Sequence, residues 1–398
     1  MKTILFVSHD ANRAGAQIVL LQIMKQLKQR GVTMHLLLGS GGALEAEFEA
    51  LVPIIKLPQT PTYFFGNKVD NVLKFFRILA FIQKKTAEKQ ATDFKRAIAD
   101  AQIDLIFLNT VATSTLFESV KYLQKPVILF AHELAMSVDM YAETTQFAST
   151  LKCTNRLLVV AQALAEYYEQ KHFFPRENIS IFTLIDTQEI LIKIENARKN
   201  NIRATFGIPS NAVVVGGCGN AELRKGNDLF LMLARSVLKK YPHNVYFMWV
   251  GLPKNSEIYA IQTFDIERMG LADRIILVEP TPDVFDFTTE FDVFALTSRE
   301  DPYPMVALEA ALNQTPVVCF EKSGGLPDLV ETDAGAVVPY LDVEAMSAVV
   351  QLWIENPETR KKLGEKAKEK VIQRHDTQQS VDNLCAILQS VSGTEKNS

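Results

Sequence analysis

Cysteine is scarce in this sequence of 398 residues, and the patterns that would give it a function are absent. The four cysteines are far apart, no C-x-x-C pair occurs, and the six histidines do not cluster. These spacings exclude a zinc site and a dense disulfide framework. Three of the four thiols lie in or beside apolar runs, which indicates reduced core cysteines. The four are Cys153, Cys218, Cys319 and Cys385.

Long apolar runs and an excess of basic residues are also absent. No segment approaches the roughly 18 uninterrupted apolar residues of a membrane span. The apolar stretch of Met1–Ser8 is too short for a signal peptide and predicts a first strand. The net charge of −4 is far from that of a dedicated nucleic-acid-binding protein. We therefore expect a cytoplasmic protein that binds no nucleic acid.

The charge that is present divides unevenly along the chain. Residues 1–180 hold 20 basic and 16 acidic side chains, a net charge of +4. Residues 181–398 hold 22 basic and 30 acidic side chains, a net charge of −8. Domains average roughly 100–200 residues, so this length predicts two of them. A mildly basic half and an acidic half fit two units with different partners.

Short β-branched runs alternate with helical segments throughout. Near-continuous apolar strands separated by helices predict parallel sheets covered on both faces. The eleven predicted strands, too many for one compact open sheet, are Ile4–Val7, His35–Leu38, Asp104–Leu108, Val127–Phe130, Leu157–Val160, Val213–Gly216, Val245–Val250, Ile275–Val278, Val293–Leu296, Val317–Phe320 and Ala336–Val338. We predict an α/β protein of two Rossmann-like, doubly wound parallel-sheet domains that face each other across a cleft.

A polar, charged segment marks the break between these domains. We expect one domain over 1–186, a linker over 187–211 and a second domain over 212–375. A carboxyl-terminal helix and polar tail follow over 376–398, and whether that helix returns to the first domain is open. Open α/β sheets bind ligands at the carboxyl ends of their strands, so a site between the domains is expected.

The richest motif follows the strand predicted at Val293–Leu296. Pro304 suits the first position of a helix, which puts Asp301 in the preceding loop and Glu309 inside the helix. The free N–H groups at such a helix start suit a phosphate. The competing interpretation is that Asp301 only caps the helix and Glu309 faces solvent. The N–H donors available to an anion are those of Tyr303, Met305 and Val306.

A second motif is the glycine-rich turn 217–226, in which Arg224 and Lys225 precede a helix that Asn227 or Asp228 would cap. Glycines allow close backbone approach, and two cations beside a helix start suit a diphosphate. The turn lacks the third glycine of a dinucleotide fingerprint and the Gly-Lys-Ser/Thr of a P-loop. A solvated helix cap is the alternative.

Two further strand ends carry candidate residues in the amino-terminal half. The loop after the first strand contains Gly15, which would let a ligand approach the start of the first helix. The strand Val127–Phe130 is followed closely by the polar pair His132 and Glu133. A purely structural histidine is the alternative for His132.

Together, these motifs resemble the retaining glycosyltransferases of family 4, the group 1 transferases with the GT-B fold. The family's Glu-x7-Glu element corresponds to Asp301–Ala310. Its glycine-rich strand end with a downstream basic residue corresponds to 217–226, with Lys225 in the lysine position. Its amino-terminal glycine-rich loop corresponds to 14–16 and its acceptor-side histidine to His132.

The resemblance implies a hexosyltransferase that moves a sugar from a UDP- or GDP-linked donor to a saccharide or lipid-linked saccharide acceptor with retention. It implies no cofactor, no essential metal and a role in cell-envelope or other polysaccharide and glycoconjugate synthesis. The domain over 1–186 becomes the acceptor side, and the domain over 212–375 binds the nucleotide sugar.

The resemblance also implies roles for single residues. Arg224 and Lys225 stabilise the departing diphosphate together with the helix amides. Glu309 accepts hydrogen bonds from the ribose, and Asp301 accepts them from the donor sugar. The remaining implied residues are His132 and Glu133 on the acceptor side, and Gly15, Gly219, Asn220, Tyr303, Met305 and Val306 on the donor side.

Three departures mark a subgroup of that family. Asp301 replaces the first Glu, and Pro-Tyr-Pro at 302–304 replaces Gly-Phe-Gly, which removes two N–H donors. Asn220 stands where many relatives carry arginine, so Arg224 is expected to supply that charge. The identity of the donor sugar is left open.

A basic, aromatic-rich segment over 63–102 concerns the acceptor. It holds eight basic and four acidic residues with interleaved phenylalanines, among them those at 64, 65, 75, 76 and 81. Such a segment suits peripheral contact with the anionic inner face of a membrane. The alternative is a helix that packs these rings onto the domain core.

Two rival functions share this architecture. A nucleotide-sugar epimerase would turn over the donor without an acceptor. A catalytically silent nucleotide-sugar-binding regulator would bind the donor without turnover.

Overall fold

The computed structural model describes residues 2–58, 78–200 and 202–393, which form two parallel β-sheets flanked by helices. The strands are β1 (Thr3–Ser8), β2 (Thr33–Leu38), β3 (Ile54–Lys56), β4 (Leu105–Asn109), β5 (Val127–Ala131), β6 (Arg156–Val159), β7 (Ile179–Ile181), β8 (Val213–Cys218), β9 (Val245–Val250), β10 (Ile275–Val278), β11 (Val293–Leu296), β12 (Val317–Phe320) and β13 (Gly335–Val338).

Helices cover both faces of each sheet. They are α1 (Gly15–Gln29), α2 (Glu45–Leu51), α3 (Ile78–Asp100), α4 (Ser114–Phe117), α5 (Ala135–Tyr141), α6 (Thr144–Cys153), α7 (Gln162–His172), α8 (Thr187–Ala197), α9 (Ile202–Thr205), α10 (Asn227–Lys240), α11 (Glu257–Arg268), α12 (Val284–Thr288), α13 (Met305–Leu312), α14 (Leu326–Val330), α15 (Val343–Glu355), α16 (Pro357–Arg374) and α17 (Thr377–Gly393).

The two sheets share one strand pattern. The first has the order β3-β2-β1-β4-β5-β6-β7, and the second has the order β10-β9-β8-β11-β12-β13. All neighbouring strands pair in parallel. In the first sheet, β2 and β3 lie on one side of β1, and the strands from β4 onward lie on its other side. In the second sheet, β9 and β10 lie on one side of β8, and the strands from β11 onward lie on its other side. This is the doubly wound topology predicted from the sequence, and it places a crevice at the carboxyl ends of β1 and β4 and of β8 and β11.

The eleven predicted strands are all present, with ends within two residues of the prediction. The central strands are apolar because both faces are buried, as in β4 and β9, where every residue is buried. The two strands that sequence analysis missed, β3 and β7, have three residues each and lie at the edges of the first sheet. Such short runs carry little periodic signal.

The segment expected as a polar linker is largely helical. It forms α8 and α9, and Ile190 and Ile194 of α8 are buried in the core around the second sheet. These two residues are one helical turn apart, so they share a face, while Ile192 and Lys193 between them are exposed. The structure therefore differs from the expected linker over 187–211: much of that segment packs against the second sheet.

The last helix returns to the first sheet. Val381, Leu384 and Leu388 of α17 are buried in the same core as α1. Arg30, the residue that follows α1, forms an ion pair of 2.6 Å with Asp382. Since α8 also follows the first sheet in the chain, two segments connect the sheets, one before β8 and one after α16.

The basic segment over 63–102 is described only from residue 78 onward. Its helix α3 buries Phe94 and Ile98 in the first core and leaves Lys84 and Lys89 exposed. The phenylalanines at 64, 65, 75 and 76 lie outside the described residues, as does the side chain at 81. None of the described helices combines the length and apolar character needed to cross a bilayer.

Candidate active site

The candidate residues of the second sheet gather where β8 and β11 end. The glycine-rich turn follows β8, and the loop with Asp301 follows β11, which is the neighbouring strand. The Nζ of Lys225 lies 2.7 Å from Oδ2 of Asp301, and only 17% and 7% of these side chains are exposed. Ser298 Oγ also donates to this oxygen, at 3.3 Å. Asp301 is therefore not a helix cap but the partner of Lys225.

Glycines let the backbones of these loops touch. Gly226 adopts a φ of 69°, and an added Cβ would collide with the carbonyl oxygen of Thr297. Gly324 adopts a φ of 144°, and its added Cβ would collide with the carbonyl oxygen of Asp301. Both positions lie in the left-handed region that favours glycine. Gly226 also occupies the position before α10, so neither Asn227 nor Asp228 caps that helix as the sequence suggested.

Arg224 is held at the interface between the two sheets. Its Nη1 donates to the backbone oxygen of Glu300 at 2.8 Å, and its Nη2 pairs with Glu222 at 3.0 Å. Its Nε is buried, and among the described residues none accepts a hydrogen bond from it. A buried guanidinium N–H without a partner is unfavourable unless a ligand or water accepts from it.

Glu309 lies on α13 and is half-buried, not facing solvent. Burial raises the pKa of its carboxyl to about 7, while the charge of Lys193 on α8 opposes that shift. A carboxyl in such surroundings gains by accepting hydrogen bonds from a ligand.

The start of α13 differs slightly from the prediction. Pro304 occupies the cap position, and the first helical residue is Met305. Met305 and Val306 are half-buried and have no acidic residue in the first turn beside them. The Tyr303 hydroxyl lies 2.9 Å from Nε2 of His375, and its ring packs against both cores. The side chain of Tyr303 thus belongs to the contact between the sheets.

Three other predicted donor-side residues occupy different surroundings. Gly219 lies against Lys225, since an added Cβ would be 3.3 Å from the lysine side chain. Its carbonyl oxygen accepts from Trp249 Nε1 at 3.0 Å. Asn220 is exposed beside it. Gly15 begins α1, and an added Cβ there would meet no atom within 4 Å among the described residues. Packing within the fold therefore does not require glycine at position 15.

The candidate residues of the first sheet follow β5. His132 Nε2 lies 3.1 Å from Oδ1 of Asn109, which is fully buried at the end of β4. Burial lowers the pKa of His132 to about 3, so the imidazole is neutral. If Nε2 carries the proton and donates to Asn109, then Nδ1 is left as a hydrogen-bond acceptor.

Glu133 is buried directly beside His132. Its Oε2 accepts from the N–H of His132 at 2.8 Å and of Val111 at 3.3 Å. Burial raises its pKa to about 7, and the charge of Arg224 acts in the opposite direction. This electrostatic coupling connects the acceptor-side pair with the donor-side cation.

Sequence analysis missed polar residues at the end of β1. His9 Nδ1 lies 3.1 Å from Thr110 Oγ1, and Thr110 adopts φ 79° and ψ 155°. Such a backbone conformation is nearly confined to glycine and costs about 1–3 kcal/mol, and it clusters at functional sites. The available signal was the polar pair Asn109 and Thr110 directly after an apolar strand.

Glu300 is a second residue that sequence analysis missed. It lies on the second sheet's loop, yet its carboxylate accepts from the N–H groups of Met136 and Ser137 on α5, at 2.9 and 3.1 Å. The only signal was its position beside Asp301. This contact brings the loop that follows β11 against α5.

No three His, Cys, Asp or Glu side chains of residues 2–58, 78–200 and 202–393 form a group suited to a metal ion.

Comparison with known proteins shows a family similarity for the part of the chain that contains the second sheet. Residues 198–370 match the family described as Glycosyl transferases group 1. The match contains all six strands of the second sheet. The match includes the turn with Arg224 and Lys225 and the loop and helix with Asp301 and Glu309. It begins at residue 198, so it does not include His132 and Glu133, and it ends within α16.

Curated proteins similar to this chain align over part of their length. A D-inositol 3-phosphate glycosyltransferase of Corynebacterium urealyticum is 26% identical over 42% of this chain. A lipopolysaccharide core biosynthesis mannosyltransferase, LpcC of Rhizobium leguminosarum bv. viciae, is 27% identical over 50% of this chain. The alignments span 41% and 57% of these relatives.

A solved structure matches over nearly the whole chain. Anabaena Alr3699/HepE, in complex with UDP and glucose, superposes with a TM-score of 0.76 at 18% identity. The superposition covers 98% of this chain and 100% of that chain. This likeness and the strand order together establish the GT-B fold, two doubly wound domains with a cleft between them.

Proposed function

We propose that this protein is a group 1 glycosyl transferase that moves a hexose from a nucleoside diphosphate sugar to an acceptor hydroxyl in the cleft, with retention at the anomeric carbon. The observation that carries the proposal is that Arg224, beside Lys225, acts electrostatically on Glu133, the neighbour of His132, while Glu300 holds Arg224 and contacts α5. The HepE complex with UDP and glucose supports a nucleotide-sugar donor in a site of this architecture.

The proposed role of the cations is to balance charge on the departing diphosphate. When the glycosidic bond to the donor breaks, negative charge develops on the diphosphate oxygens. Arg224 has an N–H without a protein partner, and Lys225 is held close by through Asp301. Preorganised donors of this kind act strongly in a poorly hydrated site, and loss of one reduces the rate about 10²–10³-fold.

In this proposal, two carboxylates accept hydrogen bonds from the hydroxyl groups of the donor. Glu309 accepts from the ribose, because its half-buried carboxyl lies on the helix that starts at the phosphate position. Asp301 uses Oδ2 for Lys225 and Ser298, which leaves Oδ1 to accept from the donor sugar. One carboxylate then positions a cation and a substrate hydroxyl together.

On the acceptor side, the neutral His132 offers Nδ1 to a substrate hydroxyl while Asn109 fixes its other nitrogen. The acceptor hydroxyl attacks the anomeric carbon, and its proton passes to the departing phosphate oxygen. The sugar forms its new bond on the face from which the diphosphate leaves. Burial raises the pKa of Glu133 to about 7, and the charge of Arg224 lowers it. A diphosphate bound to Arg224 would therefore change the pKa of Glu133 as well.

The experiment is an assay of a panel of UDP- and GDP-linked sugars with the full chain, with and without saccharide acceptors, read by mass spectrometry and anomeric NMR. Slow donor hydrolysis, transfer with retention, and unchanged rates in a chelator support the proposal. Epimerised donor would indicate the epimerase, and nucleotide binding without turnover would indicate the regulator.

We also propose a saccharide or lipid-linked saccharide acceptor in cell-envelope or other polysaccharide synthesis. The relationship to a lipopolysaccharide core mannosyltransferase supports this assignment. The exposed Lys84 and Lys89 on α3 support contact of a cytoplasmic protein with an anionic membrane surface.

A further inference from the structure

The two domains are joined across the cleft by the carboxylate of Glu300. This residue follows β11 of the second domain and is 8% exposed. Its Oε2 accepts from the N–H of Met136 at 2.9 Å, and its Oε1 accepts from the N–H and Oγ of Ser137 at 3.1 and 3.3 Å. All three donors belong to α5 of the first domain. A buried carboxylate is favourable only while such donors satisfy it.

The backbone of the same residue holds the donor-side cation. Arg224 Nη1 donates to the carbonyl oxygen of Glu300 at 2.8 Å, and the charge of Arg224 reaches Glu133 in the first domain. Glu300 is also the immediate neighbour of Asp301, which pairs with Lys225. A shift of Glu300 toward or away from α5 therefore moves Arg224, and it moves the loop that holds Lys225.

The other end of this loop is fixed to the domain boundary as well. The Tyr303 hydroxyl lies 2.9 Å from Nε2 of His375, which precedes the return helix α17. Gly325 approaches Ala161 of the first domain so closely that an added Cβ would collide with it. The four residues from Glu300 to Tyr303 thus contact the first domain at one end and the crossover at the other.

We propose that Glu300 is a positioning residue that holds the domains closed and sets Arg224 for the transfer step. When the cleft opens, the carboxylate loses the three donors of α5 and is hydrated instead. When it closes, those donors return, and the carbonyl of Glu300 places Arg224 beside the acceptor-side pair. The turnover role rests on the proposed function, while the closure itself does not.

The test compares wild type with Glu300→Gln, which keeps the shape but removes the charge and one acceptor oxygen. Glu300→Gln keeps the backbone oxygen that accepts from Arg224 and the Lys225–Asp301 pair, so both cations keep their places within the second domain and move only relative to the first. The Kd for UDP is therefore expected to be unchanged. We expect kcat for donor turnover to fall about 10–100-fold, as misplacement of a catalytic group produces. Amide exchange in 134–141 rises, and the radius of gyration from X-ray scattering increases.

Two variants serve as controls. Ser137→Ala removes only the 3.3 Å hydroxyl bond and keeps both N–H donors, so kcat, exchange and radius stay near wild type. Glu300→Asp keeps the charge but withdraws it by one methylene, and it gives an intermediate fall in kcat. It also serves if Glu300→Gln does not fold.

The outcomes separate this proposal from the proposed function. If wild type turns over no nucleotide sugar, the proposed function fails, while exchange and scattering still decide the closure. Equal exchange in 134–141 and equal radii in wild type and Glu300→Gln overturn the proposal. If wild type is active, an unchanged kcat in Glu300→Gln also overturns the proposal. A fall in kcat that is matched by an equal loss of UDP affinity overturns it as well.

Discussion

Lys225 Nζ and Asp301 Oδ2 lie 2.7 Å apart in a largely buried ion pair at the carboxyl ends of β8 and β11. The two residues are 76 positions apart in the chain. If this is the diphosphate site that we propose, the pair fixes the ammonium group before any nucleotide binds, so little reorganisation is needed when charge develops there. Because the pair is largely buried, removal of either partner would leave the other as a buried, uncompensated charge.

Replacement of Lys225 is expected to affect stability and binding separately. Lys225→Met lowers the free energy of unfolding by about 3 kcal/mol, because Asp301 stays buried without its partner. The double variant Lys225→Met/Asp301→Asn recovers part of that loss, yet neither variant binds a nucleoside diphosphate tightly. Urea unfolding and calorimetry measure the two effects. Equal unfolding free energies for the single and double variants would argue against the pairing.

Donor binding is expected to depend on pH through Glu309, whose pKa burial raises to about 7. The ionised carboxylate accepts the ribose hydroxyls, so affinity is full above pH 7. Below pH 7 the donor affinity falls about tenfold per pH unit, because the ionised fraction of Glu309 falls tenfold with each unit. Calorimetry with UDP-glucose or the matching GDP-sugar suits the measurement, since its diphosphate does not titrate in this range.

The control for this dependence is Glu309→Gln, which cannot ionise. Its donor affinity should be weaker at pH 8 and nearly independent of pH. Glu309 also makes the stability of the fold depend on pH. Its pKa is higher in the folded protein than in the unfolded chain, so the free energy of unfolding decreases as pH rises from about 4.5 to 7. Glu309→Gln should therefore melt above wild type at pH 8. An identical pH profile in the variant would remove Glu309 from the donor site.

Two glycines of the cleft are expected to respond differently to alanine. Gly226→Ala places a Cβ on Thr297 at a φ of 69°, and it costs about 2 kcal/mol of stability while displacing Lys225. Gly15→Ala meets no atom within 4 Å among the described residues and keeps the melting temperature. It weakens nucleotide binding, because a phosphate approaches the start of α1. Thermal unfolding with calorimetry distinguishes the two, and a strongly lowered melting temperature for Gly15→Ala would contradict the account.

Membrane contact through α3 predicts a charge-dependent association. Replacing Lys84, Lys85 and Lys89 with Glu should abolish binding to vesicles that contain anionic lipid, because each cation near such a surface contributes about 1 kcal/mol. Vesicle co-sedimentation measures it, with neutral phosphatidylcholine vesicles as the control. Unchanged binding of the triple variant would indicate that α3 serves only to pack Phe94 and Ile98 onto the core.

The sequence predicts most of this architecture because central strands buried on both faces are continuously apolar, as in Val293–Leu296. The edge strands β3 and β7 escape that signal, since three residues hold no pattern. Local chemistry predicts Lys225 and Asp301 as candidates, but their pairing depends on the topology that brings β8 beside β11. Glu300 could not be found in this way, because its partners are backbone N–H groups.

The most direct test of the cleft as a diphosphate site is a calorimetric comparison of nucleoside mono- and diphosphates, UMP with UDP and GMP with GDP. We predict that the matching diphosphate binds at least about tenfold more tightly than its monophosphate, the increment of a charge-assisted contact. That advantage disappears in Lys225→Met and Arg224→Met. Equal affinities for mono- and diphosphate, or an advantage that survives both substitutions, would contradict it.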